Sequence, residues 1–340
     1  MKGVVKDRLL RPLKDLRISV MDRCNFRCPY CMPEAKYHEH FRFLDASERL
    51  SFDEIEQIAR VAVSLGVTKL RLTGGEPLLR PDLPELVKRL RGLEGVTDIA
   101  LTTNGVLLDR YAESLKLSGL SRVTISLDSL DPAVFTRMSG DRSSLTPVLK
   151  AIEKAKEIGF PKGIKLNVVV QKGINDEGME DLAGYFRHSG ITVRFIEYMD
   201  VGTRNHWNLE EVLPSAVLLE RLSRRWPLVA VEAGYRGEVA KRYRYADGAG
   251  EIGFISSVTA PFCGDCSRAR LSSDGKIYTC LFASEGHDLK SLLRQGADDQ
   301  VVRNHLIALW EKRRDRYSEE RSSGEESKNQ HRIEMNYIGG

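Results

Sequence analysis

The sequence lacks the features of a membrane or secreted protein. No apolar run approaches the roughly 18 residues of a membrane-spanning helix, and the first 16 residues are basic and interrupted, unlike a secretory signal. Aromatic residues make up only 7% of the 340 residues and the net charge is only +4. The basic stripe with interleaved aromatics that nucleic-acid binding favours is missing. We expect a cytoplasmic protein that binds neither membrane nor nucleic acid.

Cysteine is scarce, and every cysteine belongs to one of two groups of three. The first triad is Cys24, Cys28 and Cys31, and the second triad is Cys263, Cys266 and Cys280. In a reducing compartment such groups are more often metal ligands than disulfides. Each triad is one thiolate short of the four that a closed zinc site or a fully ligated iron–sulfur cluster needs. The sequence therefore predicts two metal sites, each with a position open to another molecule.

Zinc remains an alternative for both triads on spacing alone. His38 or His40 could complete a site with the first triad, and His287 could complete a site with the second. A zinc-dependent nucleic-acid-binding module is the function that this alternative would favour.

Six short β-rich segments alternate with helical patterns before the second triad. The predicted strands are Leu16–Met21, Lys69–Thr73, Asp98–Thr103, Arg122–Leu127, Lys165–Val170 and Thr192–Met199. Several are continuous runs of Val, Ile and Leu, which is typical of parallel strands buried on both faces. Six βα units predict an α/β fold, either an open doubly wound sheet or an incomplete barrel. Either fold places the chemistry at the carboxyl ends of the strands.

The intervening helices carry local start and stop patterns. The best defined begins at Ser51, where Ser51 and Glu54 form a capping box, and stops at Gly66. The other predicted helices are Leu83–Leu90, Asp109–Leu117, Pro147–Ile158, Asp176–His188, Leu209–Arg224 and Val301–Arg314. The βα rhythm ends near Pro227, so we predict two domains, residues 1–230 and residues 231–340.

Several cations lie at alternating positions of the predicted strands. They are Arg17, Lys69, Arg71, Lys165 and Arg194. Because a cation buried in an apolar strand is costly without an anion, these positions favour an anionic ligand. Arginine suits phosphate in particular, since its planar fork binds two oxygens at once.

The spacing of the first triad, with Tyr30 before its last cysteine, resembles the radical S-adenosylmethionine superfamily. Gly74-Gly75-Glu76-Pro77, directly after the second strand, supports the resemblance. It implies a [4Fe–4S] cluster whose open iron chelates S-adenosylmethionine. We expect the two glycines to let the backbone approach this ligand and Glu76 to accept its ammonium. The residues that the resemblance places around S-adenosylmethionine are Tyr30, Gly75, Ser126 and Met199, and Asn104 is a further candidate.

The sequence around the second triad is similar to the signature of the GTP 3′,8-cyclases, which open molybdenum cofactor biosynthesis. The stretches that carry this similarity are residues 263–271 and 278–282, with residues 16–24, 126–132 and 200–205 and the Gly339-Gly340 end. The resemblance implies a second [4Fe–4S] cluster whose open iron binds guanine. It also implies an incomplete (βα)6 barrel of residues 1–230, closed by a smaller domain of residues 231–340 that carries the second cluster.

The same resemblance implies a mechanism and a set of GTP-binding residues. In the family, a 5′-deoxyadenosyl radical removes hydrogen from C3′ of GTP, and the resulting carbon radical attacks C8. The implied GTP-binding residues are Arg17, Arg71, Thr102, Lys165, Arg268 and Arg270, and we add Lys69 and Arg194 as further candidates. Of these, Arg17, Arg268 and Arg270 are also the implied catalytic residues, which anchor the substrate and assist its final reduction and protonation.

The resemblance further implies partners and a role for the tail. A reductant protein such as flavodoxin or ferredoxin supplies electrons, cyclic pyranopterin monophosphate synthase acts next in the pathway, and the chain is a monomer or homodimer. We expect Gly339-Gly340 to enter the chamber and the polar stretch Asp315–Arg332 to be mobile. The main alternative enzyme is a radical S-adenosylmethionine protein that modifies a peptide, although such proteins usually have more than three carboxyl-terminal cysteines.

Overall fold

A twelve-stranded sheet organises the structure, a computed structural model that describes residues 4–321 and 332–339. The strands are β1 (Asp15–Ser19), β2 (Lys69–Thr73), β3 (Asp98–Thr103), β4 (Arg122–Ser126), β5 (Ile164–Val170), β6 (Thr192–Glu197), β7 (Leu228–Val231), β8 (Lys241–Tyr245), β9 (Glu251–Ile255), β10 (Arg268–Leu271), β11 (Lys276–Tyr278) and β12 (His287–Asp288). All six predicted strands are present, with ends that differ by one or two residues.

The centre of the sheet is parallel. Strands β1 to β6 lie side by side in chain order, β10 adds in parallel to β1, and β9 adds in parallel to β6. The hairpins beyond β9 and β10 are antiparallel and leave β7 and β12 as the two edges. The α/β fold with a large parallel sheet is confirmed, whereas closure into a barrel is not. Strands from the predicted second domain continue this sheet, and the boundary at residue 230 stays a prediction.

Helices connect the strands. They are α1 (Phe52–Ser64), α2 (Leu83–Arg91), α3 (Leu108–Leu117), α4 (Pro132–Met138), α5 (Leu145–Ile158), α6 (Met179–Phe186), α7 (Ser215–Arg225), α8 (Lys290–Arg294), α9 (Asp299–Lys312), α10 (Tyr317–Glu320) and α11 (Met335–Ile338). The capping box is confirmed: the Glu54 amide donates to Ser51 Oγ at 3.1 Å and the Ser51 amide donates to the Glu54 carboxylate at 2.7 Å. In the described part of the chain, no helix is long and apolar enough to cross a membrane.

Local sequence features explain two of the differences between the predicted and the observed helices. Helix α7 begins at Ser215, later than expected, because Pro214 cannot continue a helix from the preceding turn. Helix α4 was not predicted, although Asp131 caps it by accepting from the Ala133 and Val134 amides and Pro132 starts it. Its seven residues are too few for a clear apolar period.

The central strands present an apolar face to the helices and a polar face to a cavity. On β5, Leu166 and Val168 are completely buried in the core, whereas Lys165 and Asn167 between them line the cavity. The strands are therefore not apolar on both faces, as their Val, Ile and Leu content had suggested. This alternation places polar side chains from neighbouring strands in one chamber.

Candidate active site

A cavity of about 340 Å³ lies on the polar face of the sheet, and all six cysteines line it. The sheet brings the triads together because β10, which begins just after Cys266, pairs with β1, which precedes Cys24. The ten residues that the resemblance places around S-adenosylmethionine and GTP line the same cavity, namely Arg17, Tyr30, Arg71, Gly75, Thr102, Ser126, Lys165, Met199, Arg268 and Arg270. The further candidates Lys69, Asn104 and Arg194 line it too.

The side chain of Arg27 holds the loop of the first triad through hydrogen bonds to backbone carbonyl oxygens. The guanidinium of Arg27 donates to the carbonyl oxygens of Cys24 and Phe26, both at 2.8 Å, and to that of Tyr37 at 2.9 Å. Gly140 packs closely against the same loop. It has a φ of +71°, and a Cβ there would lie 2.2 Å from the Arg27 carbonyl oxygen. The loop therefore has a defined shape before any cofactor binds.

The two glycines after β2 pack against this loop. A Cβ on Gly74 would lie 2.2 Å from the Met21 carbonyl oxygen, and one on Gly75 would lie 2.3 Å from that of Arg23. The Gly75 amide also donates to the Met21 carbonyl oxygen at 2.7 Å. Both glycines line the cavity, but glycine is already required at these two positions because the chain's own backbone approaches so closely.

Glu76 holds neighbouring turns together at the ends of β2 and β3. Its carboxylate accepts hydrogen bonds from the Leu78 amide at 3.0 Å, the Thr103 hydroxyl at 2.7 Å and the Asn104 amide at 2.8 Å. Burial raises its pKa to about 7 despite these bonds. Glu76 thus joins the ends of β2 and β3, and its expected contact with the ammonium of S-adenosylmethionine stays a prediction.

Asp128 is a cavity residue that the set of predicted site residues omits. It accepts a hydrogen bond from the Tyr30 hydroxyl at 2.6 Å and from the Val169 amide at 2.8 Å, and burial raises its pKa to about 6. Its place directly after β4 is the signal that could have identified it. Asp128 orients Tyr30 beside the first triad.

The first triad fits an iron cluster by its chemistry. Burial raises the pKa of Cys24 to about 12 and raises those of Cys28 and Cys31 as well. Three thiols that cannot ionise alone at this place need cationic metal to become thiolates. In the described residues, no three His, Cys, Asp or Glu side chains converge to hold a single metal ion. A four-iron cluster does not require three side chains to converge on one point, because each cysteine ligates a separate iron.

The second triad has a more cationic environment. Burial alone would raise the pKa of Cys266, but Arg268 and Arg313 outweigh it and lower this pKa to about 6. Burial, together with the charge of Asp315, raises the pKa of Cys280 to about 12. His287, the fourth ligand of the zinc alternative, is exposed on β12 and does not line the cavity. The donor set again fits a cluster with one open iron.

Buried cations lie between the two triads. Strand register places Arg17 of β1 beside Arg71 of β2 on one side and Arg270 of β10 on the other. Arg71 donates to Thr102 Oγ1 at 2.9 Å and, with Arg194, to Thr124 Oγ1 at 3.4 Å. These hydroxyls orient the guanidinium groups but do not neutralise them.

Burial and mutual repulsion depress the pKa values of these cations. The pKa of Arg71 falls to about 10, those of Arg194 and Arg270 to about 9, that of Lys165 to about 8, and that of Arg17 well below its usual value. Across residues 4–321 and 332–339, none of these five forms a salt bridge with a carboxylate. Such an arrangement favours the binding of a polyanion.

The tail docks against the first triad and enters the chamber. The Asn336 amide group donates to the Asp22 carbonyl at 3.2 Å, and the Tyr37 hydroxyl donates to Asn336 at 2.9 Å. Arg270 donates to the Gly339 carbonyl oxygen, and with a φ of +75° a Cβ on Gly339 would lie 2.1 Å from Thr73 Cγ2. The tail position therefore requires glycine at 339. Gly340 and residues 322–331 of the polar stretch lie outside the described residues.

Comparisons with known proteins agree with this geometry. Residues 18–186 match the family model of the Radical SAM superfamily, and residues 191–319 match that of Molybdenum Cofactor Synthesis C. The GTP 3′,8-cyclase of Xanthomonas axonopodis pv. citri is 54% identical over 323 residues, which cover 95% of this chain and 96% of that protein. The chain belongs to the GTP 3′,8-cyclase family. GTP 3′,8-cyclases of Acidothermus cellulolyticus (48% identity, 99% of each chain) and Staphylococcus haemolyticus (46%, 100% of each) are also similar.

Solved structures share the fold of this GTP 3′,8-cyclase family member. SuiB of Streptococcus suis bound to its precursor peptide SuiA gives a TM-score of 0.61 at 17% identity, over 88% of this chain and 64% of the SuiB chain. SuiB bound to S-adenosylmethionine gives 0.57 at 18% identity, over 88% and 68%. This chain therefore spans about two-thirds of the length of SuiB, and the likeness concerns the fold alone.

Proposed function

We propose that this chain converts GTP into (8S)-3′,8-cyclo-7,8-dihydroguanosine 5′-triphosphate with the use of S-adenosylmethionine, the first step of molybdenum cofactor biosynthesis. One observation carries the proposal: buried cations without carboxylate partners lie between two cysteine triads in a single cavity. Family membership over nearly the full length of the relatives supports the same reaction.

Two groups of residues would hold the cofactors. Cys24, Cys28 and Cys31 would ligate one [4Fe–4S] cluster, and Cys263, Cys266 and Cys280 the other. When bound and reduced, the first cluster would supply the electron that splits S-adenosylmethionine into methionine and a 5′-deoxyadenosyl radical, which would remove a hydrogen atom from C3′ of GTP and become 5′-deoxyadenosine. Tyr30, Gly75, Ser126 and Met199 would line the S-adenosylmethionine pocket beside it.

The triphosphate would bind the cations of the central strands. A triphosphate carries nearly four negative charges. Arg17 and Arg71 would each offer a guanidinium, which can bind two phosphate oxygens, and Lys165 would offer an ammonium in the same chamber. Lys69 and Arg194 line that chamber too. Bound phosphate would offset the repulsion that now lowers the pKa values of these groups, so part of the binding free energy comes from relief of cation crowding.

The guanine end would lie near the second triad, where Arg268 and Arg270 emerge from β10. Fixing both ends of GTP holds C3′ in one place relative to the first cluster. The docked tail, whose Gly339 carbonyl oxygen accepts a hydrogen bond from Arg270, would then lie near the bound nucleotide. Arg17, Arg268 and Arg270 are the cations placed to hold the cyclised purine while it is reduced and protonated.

We also propose the partners that this reaction requires. A small electron-transfer protein such as flavodoxin or ferredoxin would reduce the first cluster. The product would pass to cyclic pyranopterin monophosphate synthase. A monomer or homodimer in the cytoplasm is the state we expect.

The direct test is to incubate anaerobically reduced protein with S-adenosylmethionine and GTP and to analyse the products. We expect 5′-deoxyadenosine and a cyclised nucleotide to form together. If 5′-deoxyadenosine forms while GTP stays unchanged, GTP is not the substrate. A peptide-modifying enzyme would give that result.

A Cys263→Ala variant separates the roles of the two triads. The intact chain should contain about eight iron atoms and the variant about four. We expect the variant to cleave S-adenosylmethionine but to form no cyclised nucleotide, whereas a Cys28→Ala control should lose both activities. Unchanged cyclisation by Cys263→Ala would contradict a substrate role for the second triad.

A further inference from the structure

Two buried arginines lie behind the second triad, and the proposed reaction uses neither. Arg11 is 0% exposed and Arg313 is 4% exposed. Asp7 joins them, because its Oδ2 lies 2.6 Å from Arg11 Nε and 3.2 Å from Arg313 Nη1. A completely buried ion network gains little stability over apolar packing, so its presence calls for another explanation.

Both guanidinium groups hold the backbone of the cysteine ligands. Arg11 Nη1 donates to the Cys263 carbonyl oxygen at 2.6 Å and to that of Asp315 at 2.8 Å. Arg313 Nη1 donates to the Cys266 carbonyl oxygen at 2.7 Å. Two of the three ligands of the second triad are therefore each held by a buried cation.

Arg11 has one donor left over. Its Nη2 is buried and has no hydrogen-bond partner in the described part of the chain. Arg11 belongs to the cavity wall together with Cys263 and Cys266. A buried donor without an acceptor is costly, and the acceptors that a cluster would bring to this wall are its sulfur atoms.

The network is anchored locally as well. Asp7 Oδ1 accepts from the amides of Leu9 and Arg11, both at 2.9 Å, and the Trp310 indole donates to the Arg11 carbonyl at 3.0 Å. Arg11 is therefore held at its backbone by Asp7 and Trp310 and at its Nε by Asp7. Its position is set before a cluster binds.

We propose that Arg11 is a positioning residue of the second cluster, whose Nη2 donates a hydrogen bond to a cluster sulfur and raises the reduction potential of that cluster. A positive charge and hydrogen bonds at the sulfurs both favour the reduced, more negative state. This proposal rests on the proposed function in one respect, since it takes the second triad to hold a four-iron cluster.

Arg11→Gln in the full-length, cluster-loaded protein tests the proposal. Redox titration monitored by electron paramagnetic resonance measures each cluster, and the second cluster is the one whose signal responds to GTP and not to S-adenosylmethionine. At a fixed applied potential, the reduced-to-oxidised ratio of the second cluster should fall at least tenfold, which is about 59 mV for one electron. The ratio for the first cluster should stay the same.

Asp7→Asn should shift the reduction potential of the second cluster in the direction opposite to that of Arg11→Gln. It keeps the shape of the anchor but removes a negative charge beside both arginines, so the potential of the second cluster should rise. A purely structural role for the network would not produce opposite shifts in the two variants. Arg8→Gln is the matched control, because Arg8 is exposed on the same segment and should change neither cluster.

The outcomes separate the two proposals. An unchanged potential in Arg11→Gln with full iron content, or shifts of the same sign in Arg11→Gln and Asp7→Asn, would overturn this inference and leave the proposed function standing. If Arg11→Gln does not retain the second cluster, Asp7→Asn alone decides by the sign of its shift. Wild-type protein with only about four iron atoms would instead contradict the proposed function.

Discussion

Lys165 is a cavity cation with a lowered pKa. Burial, together with repulsion from Arg194 and Arg122, lowers its pKa to about 8, and no carboxylate lies within salt-bridge distance of it among the described residues. Triphosphate bound beside it would raise this pKa again. GTP binding and proton binding at Lys165 are therefore coupled.

We expect the Kd for GTP to increase between pH 7 and pH 8.5. Above its pKa the free Lys165 is neutral, and GTP must then bind together with a proton, which weakens apparent binding by up to about tenfold per pH unit. Isothermal titration calorimetry in buffers of different ionisation enthalpy measures both the Kd and the proton uptake.

A Lys165→Arg variant is the control for this pH dependence, because a guanidinium keeps its charge over that range more readily than an ammonium does. Its Kd should vary less with pH and its proton uptake should be smaller. A wild-type Kd that does not change with pH, or an identical profile in the variant, would contradict the assignment of Lys165.

At the scale of elements, the sequence predicts the strands better than it predicts the turns at their ends. The apolar runs located β1 to β6 because burial of one face is a local pattern. The same runs did not reveal that Gly74 and Gly75 face Met21 and Arg23 across a gap too narrow for a Cβ, since that contact joins two separate turns. The contacts of Glu76 with Thr103 and Asn104 were not predicted for the same reason, because these partners lie at the end of β3.

Gly75→Ala tests whether this turn shapes the loop of the first triad. The new Cβ would meet the Arg23 carbonyl, so the turn must move away from Cys24, and a displacement of about 1 Å can cost about 100-fold in rate. We expect a loss of that order in 5′-deoxyadenosine formation, with reduced iron at the first triad. The product assay and iron analysis measure these effects.

Gly178→Ala is the matched glycine substitution, because nothing lies within 4 Å of a Cβ at that position. It should leave cleavage of S-adenosylmethionine unchanged. Equal rates for Gly75→Ala and Gly178→Ala would show that the close approach at Gly75 has no bearing on the first triad.

For the whole molecule, the sheet joins distant parts of the chain around one cavity. The pairing of β10 with β1 and of β9 with β6 depends on contacts between residues far apart in sequence, which local periodicity does not encode. The resemblance to a family supplied the site residues, and the cavity contains all of them. The Asp7, Arg11 and Arg313 network could not be predicted, since it joins the start of the chain to the end of α9.

The cationic chamber should make the ligand-free protein sensitive to polyanions. Inorganic triphosphate at about 100 times its Kd should stabilise the folded protein by about 2.7 kcal/mol, because it binds the folded state alone. Differential scanning calorimetry of the anaerobic, cluster-loaded protein should show a higher Tm, and added salt should reduce the shift. Arg71→Gln should respond less, and an equal Tm shift in this variant would argue against the chamber as the binding site.

The most direct test of the account follows one hydrogen atom. GTP carrying deuterium at C3′ is incubated with the reduced protein and S-adenosylmethionine, and the 5′-deoxyadenosine is analysed by mass spectrometry. If the two triads hold one GTP between two clusters, deuterium must appear in 5′-deoxyadenosine as the 3′,8-cyclised nucleotide forms. Formation of 5′-deoxyadenosine that contains no deuterium would contradict the account.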